Sequence, residues 1–206
     1  MRHGLYLLTR ESGDDAALLA TVRAALDGGA VLLQYRDKSG DSPRRVRQAQ
    51  ALRALAAEYR VPLVVNDDVA LARAVCAAGV HLGRDDVPLA AARDALGPDA
   101  IIGVSCYDSL ARAEDAVRGG ASYVAFGSFF ASPTKPGAAR APLALLAAAR
   151  ALPLPKVAIG GITPENAAAL VAAGADLLAV SSAIFDAPDP RGCAHALASL
   201  PYGTEP

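Results

Sequence analysis

Four acids stand in two adjacent pairs, Asp67–Asp68 and Asp85–Asp86, each just after a short apolar run, in the stretch NDDVALARAVCAAGVHLGRDD. Upstream, the run QYRDK sets Gln34, Arg36 and Lys38 at alternate positions. Carboxylate and amide oxygens are hard ligands, and Mg²⁺ usually takes one or two carboxylates and completes its shell with phosphate oxygens and water. Asp67 and Asp86, with Asn66 alongside, suit such a cation. Arg36 offers a bidentate fork and Lys38 a point charge to the same anionic group. Together they point to a ligand carrying several negative charges and a divalent metal. The plainer alternative is that Asp68 caps a helix and Asp85–Asp86 ends a solvated loop.

A second anion site is written in IGGITPENAAAL. Gly160 and Gly161 let backbone N–H groups approach an anion, and Thr163, Pro164 and Glu165 open a helix in N-cap style. Ser181 and Ser182, in AVSSAIF, add hydroxyls beside it. The loop SFFASPTKPGAAR carries Ser132, Thr134 and Lys135, and reads as a lid over an anionic ligand or as a plain surface loop. His81, inside GVHLG, is expected to be a buried, hydrogen-bonded core residue rather than a ligand. No Ser/His/Asp or Cys/His arrangement is evident, so nothing favours covalent nucleophilic catalysis.

These residues are positioned by a regular alternation. Strand-like runs cover 4–9, 30–36, 62–67, 79–83, 100–106, 123–130, 156–162 and 177–185, and Ala/Leu-rich helical stretches such as 42–60 lie between them. The phrases DGGA, AAGV, RGGA and AAGA read as helix C-caps running into a strand. Eight strands alternating with helices predict a single compact (β/α)8 TIM barrel over 1–206, α/β in class. A doubly wound open sheet is the runner-up, and no GxGxxG after the first strand supports it. In the barrel, polar residues at the strand C-terminal ends share one face, which unites Gln34 to Lys38, Asn66 to Asp68, Asp85–Asp86, Ser105, Ser132 to Lys135, Gly160–Gly161 and Ser181–Ser182.

A net charge of −1 and the absence of Trp leave no basic face and no stacking platform, so nucleic-acid binding is not expected. No apolar run has the length of a membrane span, and the N-terminal stretch has too short an apolar core for a signal peptide. Three widely spaced cysteines read as reduced thiols, giving a cytoplasmic expectation.

The motifs LLQYRDK, VVNDDVALARAVCAAGVHLGRDD, IIGVS, FGSFFASPTKPG, AIGGITPENA and AVSSAIF, in this order, resemble the thiamine-phosphate synthase family, from Tyr6 to about Phe185. The resemblance implies a (β/α)8 barrel that joins a hydroxymethylpyrimidine diphosphate to a thiazole phosphate with Mg²⁺, releasing pyrophosphate. It implies that Gln34, Arg36, Lys38 and Asn66 contact the pyrimidine diphosphate and that Asp67 and Asp86 ligate magnesium. Ser105 would lie beside the pyrophosphate, and Lys135 would stabilise it as it leaves. Ser132 and Thr134 would touch the thiazole, with Gly161, Ser181 and Ser182 at its phosphate. Two departures stand out: Ala131–Ser132–Pro133–Thr134 replaces the more usual Thr-Pro-Thr, and Cys76, expected on a helix away from the site, replaces a common Gly. A thiazole tautomerase would show a histidine where this chain reads FGSFF. A non-catalytic binding barrel would lack the acids or Lys135. Partners are therefore small-molecule substrates, and a homo-oligomer is left open.

Overall fold

The computed structural model describes residues 1–131 and 140–203. Eight parallel strands close a barrel in chain order: β1 (Gly4–Leu8), β2 (Leu32–Tyr35), β3 (Leu63–Asn66), β4 (Gly79–Leu82), β5 (Ile101–Tyr107), β6 (Tyr123–Gly127), β7 (Lys156–Ile159) and β8 (Leu177–Val180). β8 pairs back onto β1 through Gly4 with Leu177 and Tyr6 with Ala179. Around them run α1 (Asp15–Asp27), α2 (Ser42–Glu58), α3 (Val69–Ala74), α4 (Leu89–Leu96), α5 (Leu110–Arg118), α6 (Ala144–Ala148), α7 (Pro164–Ala173), α8 (Ser182–Phe185) and α9 (Pro190–Ala198). The (β/α)8 barrel expected from the alternation is the observed fold. Among the described residues no helix is long and apolar enough to cross a membrane.

Alternation along each strand divides the core in two. Tyr6, Leu32, Val64, Tyr123, Val157 and Leu177 pack together inside the barrel. Leu5, Leu7, Leu33, Val65, Val124, Phe126 and Leu178 face outward against Leu18, Val22, Leu52, Leu146 and Leu170 of the helices. Full burial of one such aliphatic side chain is worth about 1.5–3 kcal/mol. Register carries the inward set around the barrel: Leu8 pairs with Gln34, Asn66 with His81, His81 with Gly103, and Gly103 with Tyr123.

Helix entries follow their caps. Asp14, Asp41, Asp68, Ser109 and Asp189 each accept a backbone N–H from the first turn of α1, α2, α3, α5 and α9. Gly28, Gly119 and Gly174 cap α1, α5 and α7 at their C-termini, as expected. The AAGV phrase behaves differently. Gly79 opens β4, α3 ends at Ala74 with Val75 as its C-cap, and Cys76 takes φ 52 just after it. Cys76 is therefore exposed and outside the helix, not on it as expected, in a left-handed conformation that glycine adopts more easily. The run expected to stay extended over 177–185 leaves the sheet at Val180. Ser181 turns it into α8, its carbonyl accepting from Ile184 and Phe185 at 3.0 Å.

Candidate functional site

At the C-terminal end of β3 the chain bends sharply. Asp67 takes φ 63, its N–H donating to the His81 carbonyl at 2.8 Å, while Asp68 N–H donates to Asn66 at 2.7 Å. A left-handed non-glycine residue stores strain and persists only where its surroundings impose it. The two acids of this pair thereby separate. Asp68 accepts from Leu71 N–H at 2.8 Å, capping α3, and pairs with Arg45 at 2.8 Å. Asp67 turns to Lys38 instead, with Nζ 3.0 Å from its carboxylate.

The second pair divides the same way. Asp85 is exposed, whereas Asp86 folds back to accept from Gly83 N–H at 2.6 Å. Burial raises the pKa of Asp86 above the usual carboxylate range. The Gly83 N–H opposes that shift, the facing Asp67 carboxyl adds to it, and Lys38 partly offsets it. Two carboxyls within reach of each other and one ammonium make a locally acidic point. Among the described residues no group of three or more His, Cys, Asp or Glu side chains gathers around one metal position.

Arg36 and Lys38 are held by their neighbours. The Thr9 hydroxyl accepts from Arg36 N–H at 2.8 Å and donates to the Arg36 carbonyl at 3.3 Å, fixing the backbone where β2 ends. Between the two cations, Asp37 turns into the body of the protein, accepting from Ser39 N–H at 2.7 Å and meeting Arg44 at 3.3 Å. Burial works against the Asp37 charge, but the Ser39 hydrogen bonds and the Arg44 guanidinium prevail and hold its carboxyl below the usual range.

The barrel interior carries polar side chains below this rim. Gln34 Nε2 donates to Tyr6 Oη at 2.5 Å, and the Tyr6 and Tyr123 hydroxyls lie 2.7 Å apart. Tyr123 Oη is 3.0 Å from His81 Nδ1, and His81 Nε2 is 2.8 Å from Ser105 Oγ. His81 is thus the buried, hydrogen-bonded residue expected. Burial pulls its pKa down to about 4, with Asp67 acting in the opposite direction, so the ring is neutral at physiological pH. Burial also pushes both phenols above their ordinary range.

Across the mouth, the ends of β7 and β8 lie side by side. Gly161 takes φ 61, and a Cβ there would sit 2.2 Å from the Ala131 carbonyl oxygen, so only glycine fits. Asn166 ties this turn to α7, its amide donating to the Gly161 carbonyl at 2.9 Å and its oxygen accepting Thr163 N–H at 2.9 Å. Ser181 and Ser182 follow at the adjacent strand end.

Lys38, Asp67 and Asp86 therefore come into contact, Arg36 stands beside Lys38 in sequence, and Gln34 and Ser105 are joined through the barrel. Asn66 ends β3 on the same face. Gly161, Ser181 and Ser182 form a separate group at the β7 and β8 ends. Ser132, Thr134 and Lys135, with the expected lid, lie outside the described residues. Sequence reading missed Thr9, Tyr6, Tyr123 and Tyr107. Tyr107 ends β5 with φ 57, accepts from Arg84 N–H at 3.2 Å and lies under the Arg84 guanidinium, fastening the loop that carries Asp86. A hydroxyl or phenol one or two places from a strand end was the available signal for Thr9 and Tyr107.

Comparison with known proteins matches the chain to one family. The thiamine monophosphate synthase family model matches residues 5–184. The chain is 59% identical to a thiamine-phosphate synthase of Azoarcus sp. over 198 residues, covering 96% of each chain. It is 58% identical to that of Thiobacillus denitrificans over 204 residues, covering 98% of this chain and 96% of that one. A solved thiamine phosphate pyrophosphorylase of Pyrococcus furiosus superposes with a TM-score of 0.83 at 36% identity, over 94% of this chain and 93% of its own. The chain belongs to the thiamine monophosphate synthase family and is an enzyme of the transferase class.

Proposed function

We propose that this enzyme joins a hydroxymethylpyrimidine diphosphate to a thiazole phosphate, forming thiamine phosphate and releasing pyrophosphate. The carrying observation is the cluster of Lys38, Asp67 and Asp86, in which two carboxyls face each other and one is pinned to an ammonium at 3.0 Å. Arg36 lies two positions before Lys38 in the chain, its backbone held by Thr9.

The donor set suits Mg²⁺. Two carboxylates are the complement this ion takes when phosphate oxygens fill the rest of its shell, and the mutual repulsion of Asp67 and Asp86 is what a divalent cation relieves. Asp67 and Asp86 would hold it, and when bound it would supply charge neutralisation at the leaving oxygens. Arg36 and Lys38 bind the same oxygens, and by resemblance the Ser105 hydroxyl lies beside them. Gln34 and Asn66 orient the pyrimidine.

The reaction is dissociative in this reading. The bond from the pyrimidinylmethyl carbon to the diphosphate oxygen breaks, and pyrophosphate keeps the electron pair. Fixed positive charge at Arg36, Lys38 and, by resemblance, Lys135 favours that separation. The thiazole nitrogen lone pair then forms the new C–N bond. That nitrogen carries no proton, so attack requires no general base, and the neutral buried His81 is free of that duty. Gly161, Ser181 and Ser182 hold the thiazole phosphate in line, and Ser132 and Thr134 touch its ring by resemblance.

The test is pyrophosphate release from purified protein given both substrates, with Mg²⁺ and then with EDTA. Magnesium-dependent release equal to thiamine phosphate formed supports the reading. Isomerisation of the thiazole phosphate without release would replace it with a tautomerase, and binding without either would replace it with a binding barrel.

A further inference from the structure

The buried row Gln34–Tyr6–Tyr123–His81–Ser105 crosses the barrel from β2 to β5 through side chains of β1, β6 and β4, with heavy-atom separations of 2.5, 2.7, 3.0 and 2.8 Å. Its members are nearly sealed from water: Tyr6 is 1% exposed, Gln34 2%, Tyr123 0% and His81 9%. In such surroundings each proton must have an acceptor, because an unmade hydrogen bond carries its full desolvation cost. We propose that this row runs in one direction, delivers Ser105 to the site as a hydrogen-bond donor, and makes Tyr6, Tyr123 and His81 positioning residues for it.

The direction follows from one end. Gln34 presents its amide nitrogen to Tyr6, and an amide N–H only donates. The Tyr6 oxygen is thereby an acceptor from Gln34, and its own proton goes to Tyr123, its one other hydrogen-bond partner among the described residues. Tyr123 then donates to His81 Nδ1, which must be unprotonated to receive it. A neutral imidazole keeps its proton on the other nitrogen, so Nε2–H donates to Ser105 Oγ. The Ser105 lone pair is occupied, and its hydroxyl proton is left to point toward an anionic oxygen at the mouth. Charge-assisted hydrogen bonds of this kind are the strong ones, and aligned hydroxyl rows polarise one another in the same sense. An amide turned the other way at Gln34 would reverse every proton, and Ser105 would donate back to His81 instead.

That the receiving oxygen belongs to the departing diphosphate rests on the function proposed above. The tautomer of His81 does not, and it is measured first. Nitrogen NMR of protein labelled in histidine, with His3→Gln and His195→Gln so that one imidazole reports, should show a protonated Nε2 and an unprotonated Nδ1 in substrate-free enzyme. A protonated Nδ1 overturns the proposal. Kinetics then test the coupling. Tyr6→Phe keeps the ring and cuts the row, and should lower kcat about tenfold, the loss expected when one hydrogen bond to a charged group weakens. In a Ser105→Ala background the same change should cost less than about twofold, because its effect passes through the missing hydroxyl. Equal losses in both backgrounds would reduce Tyr6 to a packing role and overturn the positioning claim. An unsubstituted enzyme that turns over nothing would sink the proposed function, while the histidine spectrum would still decide the direction of the row.

Discussion

The phenol of Tyr123 occupies the space a side chain on Gly103 would need: a Cβ built on Gly103 would lie 2.0 Å from Tyr123 Cζ and 2.3 Å from its hydroxyl. The two residues pair in register across β5 and β6, both directed inward, so the ring of one strand lies over the bare backbone of the next. Gly103→Ala should therefore shift Tyr123 and cost about 1–3 kcal/mol as overpacking of a closed core. Chemical denaturation reads this directly. Pairing the change with Tyr123→Leu, which withdraws the ring, should recover much of the loss, and a Gly103→Ala protein within about 0.5 kcal/mol of the parent would show that the core accommodates both groups.

Thr9 clasps the backbone of Arg36 through a hydroxyl that both accepts and donates, and it is 1% exposed. Thr9→Val keeps the shape and strands a buried N–H and carbonyl. It should cost about 1–3 kcal/mol of stability, the desolvation cost of an unmade pair. Arg36 loses its anchor with it, so the kcat for pyrophosphate release should fall as well. Unchanged stability and turnover would mean the strand end is fixed by the sheet alone.

Asp37 gives a pH-dependent term of known sign. Its folded carboxyl lies below the ordinary aspartate value of 3.8, so the unfolded chain takes up the proton first as acid is added. The stabilisation is complete above the ordinary value and is lost as pH falls through the folded one. Asp37→Asn lacks it. The stability gap between parent and variant should be about 1.5–3 kcal/mol near neutrality, the range for hydrogen bonds to a charged group, and should narrow below the ordinary value. A gap that stays constant into acid would remove Asp37 from the acid-sensitive groups.

Much of this molecule was readable because its signals are local. Asp, Ser and Thr before apolar runs mark helix starts, and a glycine at the end of α1, α5 and α7 marks those returns to the sheet, so the barrel and the face collecting Gln34, Asp67 and Asp86 follow from spacing. The apolar run after Ala179 was read as extended because its composition suits a strand as well as a helix, and only the turn at Ser181 decides. The sequence reading gave Asp67 and Asp86 to the cation and a cap to Asp68, and the Asp68 cap on α3 is observed, but what separates the two neighbours is visible only in the fold. Asp67 and Asp68 are chemically identical, and the left-handed bend at Asp67 sends one to Lys38 and the other to a helix cap. The row through Tyr6 and Tyr123 was not readable at all. Its tyrosines stand 117 positions apart and meet only because β8 closes onto β1.

The last prediction concerns the acids themselves. Asp86 is raised in pKa by burial and by Asp67, which means the folded, metal-free site holds two carboxyls that repel. Asp86→Asn keeps an oxygen for Gly83 N–H and removes that repulsion. In EDTA the variant should be at least as stable as the parent, although it has lost a charged group. Added Mg²⁺ should raise the parent's Tm, because a ligand that binds only the folded state stabilises it in proportion to the logarithm of its excess over Kd. The variant should gain little, and its turnover should fall by orders of magnitude. An Asp86→Asn protein less stable than the parent in EDTA, or one that Mg²⁺ stabilises equally, would make Asp86 a structural cap on the β4 loop and move the metal elsewhere.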